Sequence, residues 1–139
     1  MPLGAFKAAL MGTAGVSTGD VVLLSTQTAT SDTTLSFTSD ITSTYGEYIF
    51  RFYNINPETD GVTFDFNMSI DSGSNYNVTK TTSAFLARHT EADTASLAYS
   101  AADDIASGTG FAEISVKGIG NDADESGVGE LHLLFRHSP

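Results

Sequence analysis

Apolar positions in this chain fall on alternate residues more often than at helical spacing. The clearest case is Val62–Asp71, VTFDFNMSID, where Val62, Phe64, Phe66, Met68 and Ile70 alternate with Thr63, Asp65, Asn67, Ser69 and Asp71. Successive side chains of an extended chain point to opposite faces, so one face of this stretch is built for burial and the other for water. That is the pattern of an antiparallel sheet covered on one side. Glu47–Ile55, EYIFRFYNI, is the most aromatic strand, with Tyr48, Phe50 and Phe52 on one face and Ile49, Arg51, Tyr53 and Ile55 on the other. Large side chains on both faces predict either a central strand or a strand whose second face meets a neighbouring subunit. In the second case Ile49, Arg51 and Tyr53 are the self-association residues. Between the two strands Pro57 and Asp60-Gly61 supply turn chemistry, so Glu47–Asp71 reads most simply as a hairpin with a long loop.

The remaining pattern adds shorter strands. Val21–Gln27 is an apolar run that opens the β body, buried on both faces or lying under the N-terminal segment. Thr34–Thr38 is a short strand with Leu35 and Phe37 inward. Val78–Arg88 is a strand with a possible interruption near Thr81, and Phe111–Lys117 is another, with Ala112, Ile114 and Val116 on one face. Thr90–Asp104 allows a helical turn through its alanines, but Leu97 and Tyr99 fit a strand, which is slightly preferred. Glu130–Arg136 alternates clearly, with Leu131, Leu133 and Phe135 inward and Glu130, His132, Leu134 and Arg136 outward. About seven or eight strands at this spacing predict an all-β fold, an antiparallel β-sandwich of jelly-roll type occupying residues 21–139. Residues 1–20 differ. Leu3, Phe6, Ala9 and Leu10 share one side of a short helix over about Gly4–Met11, which Gly12 and Gly15 break. So few turns are marginal alone, which makes this segment an arm that orders against something else, or a frayed terminus.

Charge narrows the partners. Across 139 residues, 6 Lys and Arg stand against 17 Asp and Glu, a net charge of −11. That excludes the clustered positive footprint of a nucleic-acid groove. There is no cysteine, hence no disulfide framework and no thiolate metal site. No apolar run reaches the ~20 residues of a membrane span, so no membrane insertion is expected. The N-terminus lacks the basic region of a secretory signal.

Three segments carry a resemblance: STYGEYIFRFYNINPETDG (Ser43–Gly61), SGSNYNVTKTTSAF (Ser72–Phe85) and SGVGELHL (Ser126–Leu133). Together they resemble short proteins encoded by marine tailed bacteriophages of the cyanophage and pelagiphage kind. The opening LGAFKAALMGTAG (Leu3–Gly15) resembles a leader shared by otherwise different proteins of such phages. The resemblance implies a non-enzymatic virion structural protein, made in the host cytoplasm and carried on the particle surface: capsid decoration, head fibre or tail-associated component. It implies docking to other virion proteins through Leu3, Phe6, Lys7 and Leu10, with display of a homo-oligomeric β body. The alternative is a carbohydrate-binding module for host adhesion. Family members continue into further β segments beyond Leu133, whereas this chain stops at LFRHSP, a natural truncation or a frameshifted end.

Candidate chemistry is sparse. No cofactor is expected, although Asp122, Asp124 and Glu125 in the loop Gly118–Gly129 are close enough in sequence to offer oxygen ligands to Ca²⁺. A solvated acidic loop is the plainer reading. His89 lies near Glu91, a pairing able to do acid–base work, but no nucleophile motif accompanies it and surface histidines account for His89, His132 and His137. Tyr53 and Tyr76 are the best candidates for a sugar-stacking platform, Tyr76 as the ligand contact, against the plainer reading as core or interface residues. The triplets at Asn67 and Asn77 match the glycosylation acceptor by chance.

Overall fold

The computed structural model describes residues 21–115 and 117–134. The chain divides into two units, Met1–Leu35 and Ser36–Pro139. In the first unit the described residues, 21–35, form no strand, and Val21, Val22, Leu23 and Leu24 are exposed. The strand expected at Val21–Gln27 is therefore absent. An apolar run without alternation fixes no register on a neighbour. Thr34–Thr38 also lacks a ladder.

The second unit is strand-rich, with no helix among the described residues. Its strands are β1 Glu47–Ile55, β2 Asp65–Phe66, β3 Phe85–His89, β4 Ala95–Tyr99, β5 Ala112–Glu113 and β6 Gly127–Leu134. All pairs are antiparallel, and they nest: β1 with β6, β2 with β5, β3 with β4. Isolated bridges at Val62–Ile119 and Lys80–Gly108 follow the same order. From Glu47 to Leu134 the chain is one long ribbon doubled back on itself. It turns at Thr90–Thr94, where Thr90 N donates to Thr94 O at 3.0 Å and Asp93 takes φ 57°.

The β1 strand forms over the expected residues, and its partner is β6 rather than Val62–Asp71. Six positions are in register, from Glu47 opposite Leu134 to Phe52 opposite Gly129, and Ile55 stands opposite Gly127 beyond a register shift. The match is one of length and shape: Gly129 stands opposite Phe52, leaving room for the ring. The expected hairpin Glu47–Asp71 is thus corrected. Phe52 and Phe64 remain neighbours, edge to face at 4.9 Å, without being paired strands.

Val62–Asp71 is not a ten-residue strand either. Only Asp65–Phe66 joins a ladder, and Ile70 is 88 % exposed. The interruption comes from the polar residues. Phe64 N donates to Ser115 Oγ at 2.7 Å, and Phe64 O accepts from both Ile114 N and Ser115 N, so a hydroxyl replaces a ladder group. Beyond Phe66, Asn67 Oδ1 accepts from Met68 N at 2.9 Å, and Ser69 Oγ accepts from Asp71 N and Gly73 N. Side chains of this kind compete with the sheet for backbone donors. Asp71 in turn accepts from Ser69 and Asn75, which holds its carboxyl down to about 2. Likewise Thr81 and Thr82 hydroxyls accept from Ser107 N and Ile105 N, and the strand proper starts only at Phe85. β4 confirms the strand reading of Leu97 and Tyr99, and β6 begins at Gly127, inside the stretch expected as loop.

Little is fully buried. Tyr48, Ala84 and Ala112 are the buried apolar residues among those described. Tyr48 is anchored through its hydroxyl, which donates to Thr42 O at 2.8 Å and accepts from Thr42 N at 2.9 Å. Half-buried rings meet edge to face, Phe37 on Phe50 at 5.5 Å and 71°. Such pairs contribute about 0.5–1.5 kcal/mol each beyond their burial.

Where the ribbon's two sides approach closely at Gly61 and Gly118, a Cβ on Gly118 would collide with the Gly61 backbone. Gly61 itself sits at φ +69°. Gly118→Ala is expected to lower stability by about 1–3 kcal/mol, the cost of overpacking against backbone. Gly46→Ala, which meets open space, serves as the neutral control. Urea midpoints of the two variants check this, and equal midpoints would contradict it.

Candidate interaction surface

Alternation in β1 and β6 places Tyr48, Phe50, Phe52, Leu131 and Leu133 toward the interior and a second set outward. The outward set is Glu47, Ile49, Arg51 and Tyr53 from β1 with Val128, Glu130, His132 and Leu134 from β6. Ile49, Tyr53, Val128 and Leu134 are exposed apolar side chains. Between them runs a charged seam. Arg51 Nε lies 3.0 Å from Glu130 Oε1, and His132 reaches Glu47 Oε1 at 2.8 Å through Nδ1 and Glu130 Oε2 at 3.3 Å through Nε2. Bonding to Glu47, then to Glu130, pushes the His132 imidazole up from its ordinary value. These pairs are half-exposed and each contributes little to stability. Their effect is to order the face. Ile49, Arg51 and Tyr53 therefore do share one exposed surface, and β6 contributes half of it. The alternation Glu130, His132, Leu134 was the signal that would have added those residues.

A second exposed apolar surface is the β3–β4 hairpin. Phe85 pairs with Tyr99, their rings edge to face at 5.3 Å, and Ala87 pairs with Leu97. Phe85 is 65 % and Leu97 78 % exposed. Arg88 Nε donates to Ser96 Oγ, and His89 pairs with Asp93 across the turn, not with Glu91. The Tyr99 hydroxyl donates to Asp104, which raises the tyrosine's own pKa.

Two polar clusters lie inside the ribbon. Lys80, 8 % exposed, is the only buried polar or charged residue among those described. Its Nζ donates to Asn67 Oδ1 at 2.7 Å, no carboxylate among the described residues pairs with it, and burial lowers its pKa. Asn67 is a junction: its Nδ2 donates to Tyr76 O at 2.9 Å and Thr109 O at 3.2 Å. The second cluster is acidic. Asp65 stands directly opposite Glu113, its Oδ1 buried without a partner among the described residues. Burial first, then Asp103 and Asp65, push the Glu113 carboxyl up, against Lys117. No group of three or more His, Asp or Glu among the described residues is arranged to hold a metal ion.

The trio Asp122, Asp124 and Glu125 is accordingly not gathered as a ligand set. Glu125 folds back instead, its Oε2 accepting from Asp122 N at 3.3 Å. Tyr76 donates its hydroxyl to Ser36 Oγ at 3.0 Å, and so is tied into the fold. Leu3, Phe6, Lys7 and Leu10 lie outside the described residues. No helix among the described residues is long and apolar enough to cross a membrane. Comparison with known proteins brings no match: no family model fits the chain, and no curated protein or solved structure is significantly similar to it.

Two outcomes follow from this geometry. Asn67→Ala removes the shorter of two hydrogen bonds of the buried Lys80 ammonium, leaving the one to Val78 O at 3.4 Å, and is expected to cost about 1–3 kcal/mol in chemical denaturation; an unchanged midpoint would contradict the junction. For His132, a raised folded-state pKa means that its contribution is full below the ordinary imidazole value of 6.5 and is lost as pH rises through the raised one. The wild type should lose stability over that window, and His132→Gln should lack that component.

Proposed function

We propose that the protein is a non-enzymatic structural component of a tailed-bacteriophage particle, held at the particle surface by its first twenty residues and associating with copies of itself through its β body. The resemblance of the segments around Ser43–Gly61, Ser72–Phe85 and Leu3–Gly15 supports the phage assignment. The observation that carries the assembly role is the contrast between the three buried apolar side chains among the described residues and the exposed apolar faces of β1–β6 and β3–β4. A two-stranded hairpin is marginal alone in water, and exposed apolar strand surfaces mark association sites.

The nested pairing also supports the finer fold. A ribbon whose first strand pairs with its last, and so on inward, is a jelly roll before it is wound into two facing sheets. The proposed working form is that wound sandwich, its open edges covered in the assembly.

The test is the particle itself. Virions of the encoding phage, purified by density gradient, should contain the chain in fixed stoichiometry by mass spectrometry, and electron cryomicroscopy should trace it on the head or tail. Deleting residues 1–20 should abolish incorporation while leaving the β circular dichroism signal intact. A chain missing from purified particles, or incorporated equally well without those residues, would overturn the reading.

A further inference from the structure

The free edge of β6 is self-complementary in a register centred on Leu131, and not in the two registers beside it. Among the described residues β6 pairs with β1 alone, and no other backbone group bonds to it. A second copy can add to that edge as an antiparallel strand about a twofold axis. Same-face residues must then oppose one another. With the axis at Leu131, Glu130 meets the partner's His132, and Val128 meets the partner's Leu134. On the inner face Leu131 meets the partner's Leu131, and Leu133 meets the partner's Gly129, a large side chain over a missing one. The neighbouring registers fail: an axis at Glu130 opposes two carboxylates, and an axis at His132 opposes two imidazoles.

The β1 edge fits less well. Asn54, at φ 53°, breaks it where the β1–β6 register shifts, between Phe52 and Ile55. The β6 strand runs unbroken through Gly127–Leu134.

We propose that two copies of the chain pair antiparallel through β6, centred on Leu131, to form one four-stranded sheet in the order β1–β6–β6–β1. The inference deepens the assembly reading and rests on it for the presence of self-association. Across the outer face each row then reads Arg51, Glu130, the partner's His132, the partner's Ile49. Across the inner face the central row reads Phe50, Leu131, the partner's Leu131, the partner's Phe50, which doubles the apolar strip. His132 is faced by Glu47 of β1, Glu130 of its own strand and Glu130 of the partner subunit, with Arg51 holding Glu130 from the side. Protonated His132 therefore favours the pair, and the dimer weakens as pH rises through its titration. This edge is the occupant's only requirement, so the partner is a second copy rather than an unrelated strand: the Glu–His and Leu–Gly matches come from one sequence read in both directions.

The experiment uses the full chain, which has no cysteine of its own. Light scattering after size exclusion should give a concentration-dependent dimer that dissociates toward alkaline pH. Glu130→Gln removes both symmetry-related Glu130–His132 contacts and should weaken it roughly four- to twenty-five-fold, about two- to fivefold for each half-exposed ion pair. His132→Gln should remove the pH dependence. Leu131→Cys should form an intermolecular disulfide on mild oxidation, and Leu133→Cys, opposite a glycine, should not. A monomer up to millimolar concentration overturns the proposal, and so does a dimer in which Leu133→Cys cross-links as readily as Leu131→Cys. The wild-type scattering stands even if a cysteine variant fails to fold. A monomer that is nonetheless present in virions refutes the β6 pairing and leaves the particle role intact. A dimer absent from virions does the reverse.

Discussion

The ladder between Glu47–Ile55 and Gly127–Leu134 is the contact on which the described fold depends. It joins positions far apart in sequence, and every other ladder lies inside the loop it closes. Closing a loop of that length costs entropy that grows only slowly with length, so one long ladder with well-matched faces can meet it. The matching is specific: Tyr48, Phe50 and Phe52 against Leu133, Leu131 and Gly129 inside, Arg51 against Glu130 outside. The inner ladders are short because their residues divide backbone bonding between the sheet and nearby hydroxyls and amides. Ser115, Thr81, Thr82 and Asn67 each take a donor that a neighbouring strand would otherwise use.

This gives the ribbon a gradient of order. The tip at Thr90–Thr94 is local and quick to form, yet the hairpin behind it leaves Phe85, Leu97 and Tyr99 in solvent. The middle is held by polar junctions, Asn67 with Lys80 above all. The base carries the aromatic packing. Buried polar junctions contribute modestly when satisfied and are costly when half-satisfied, which ties the middle to the integrity of its partners. A net charge of −11 adds self-repulsion to the compact state and opposes association through exposed apolar strands.

Strand character was legible in the sequence where both faces were unambiguous. EYIFRFYNI and GELHL alternate without a break, and both are strands over those residues. The alternation of VTFDFNMSID was equally clean, yet it produced two ladder residues. Its outward members Asn67, Ser69 and Asp71 read as solvent-facing, but their oxygens capture nearby backbone donors and bend the chain. Periodicity records which way a side chain points and not what it bonds to. Pairing was not legible either. Adjacent strands separated by Asp-Gly look like a hairpin, and the match of β1 to β6 lies in register and glycine placement that no local window contains. The outward half-face of Ile49, Arg51 and Tyr53 could be read from β1, and its complement in β6 required knowing that the two strands meet.

Native-state amide exchange followed by nuclear magnetic resonance tests the central claim most directly, because it reads which ladders open last. The account predicts that the slowest amides cluster in Glu47–Ile55 and Gly127–Leu134, with the β3–β4 hairpin opening more readily and residues 21–35 more readily still. Fast exchange throughout β1 and β6 with protection confined to the hairpin would contradict it, since the ribbon would then be held at its tip and open at its base.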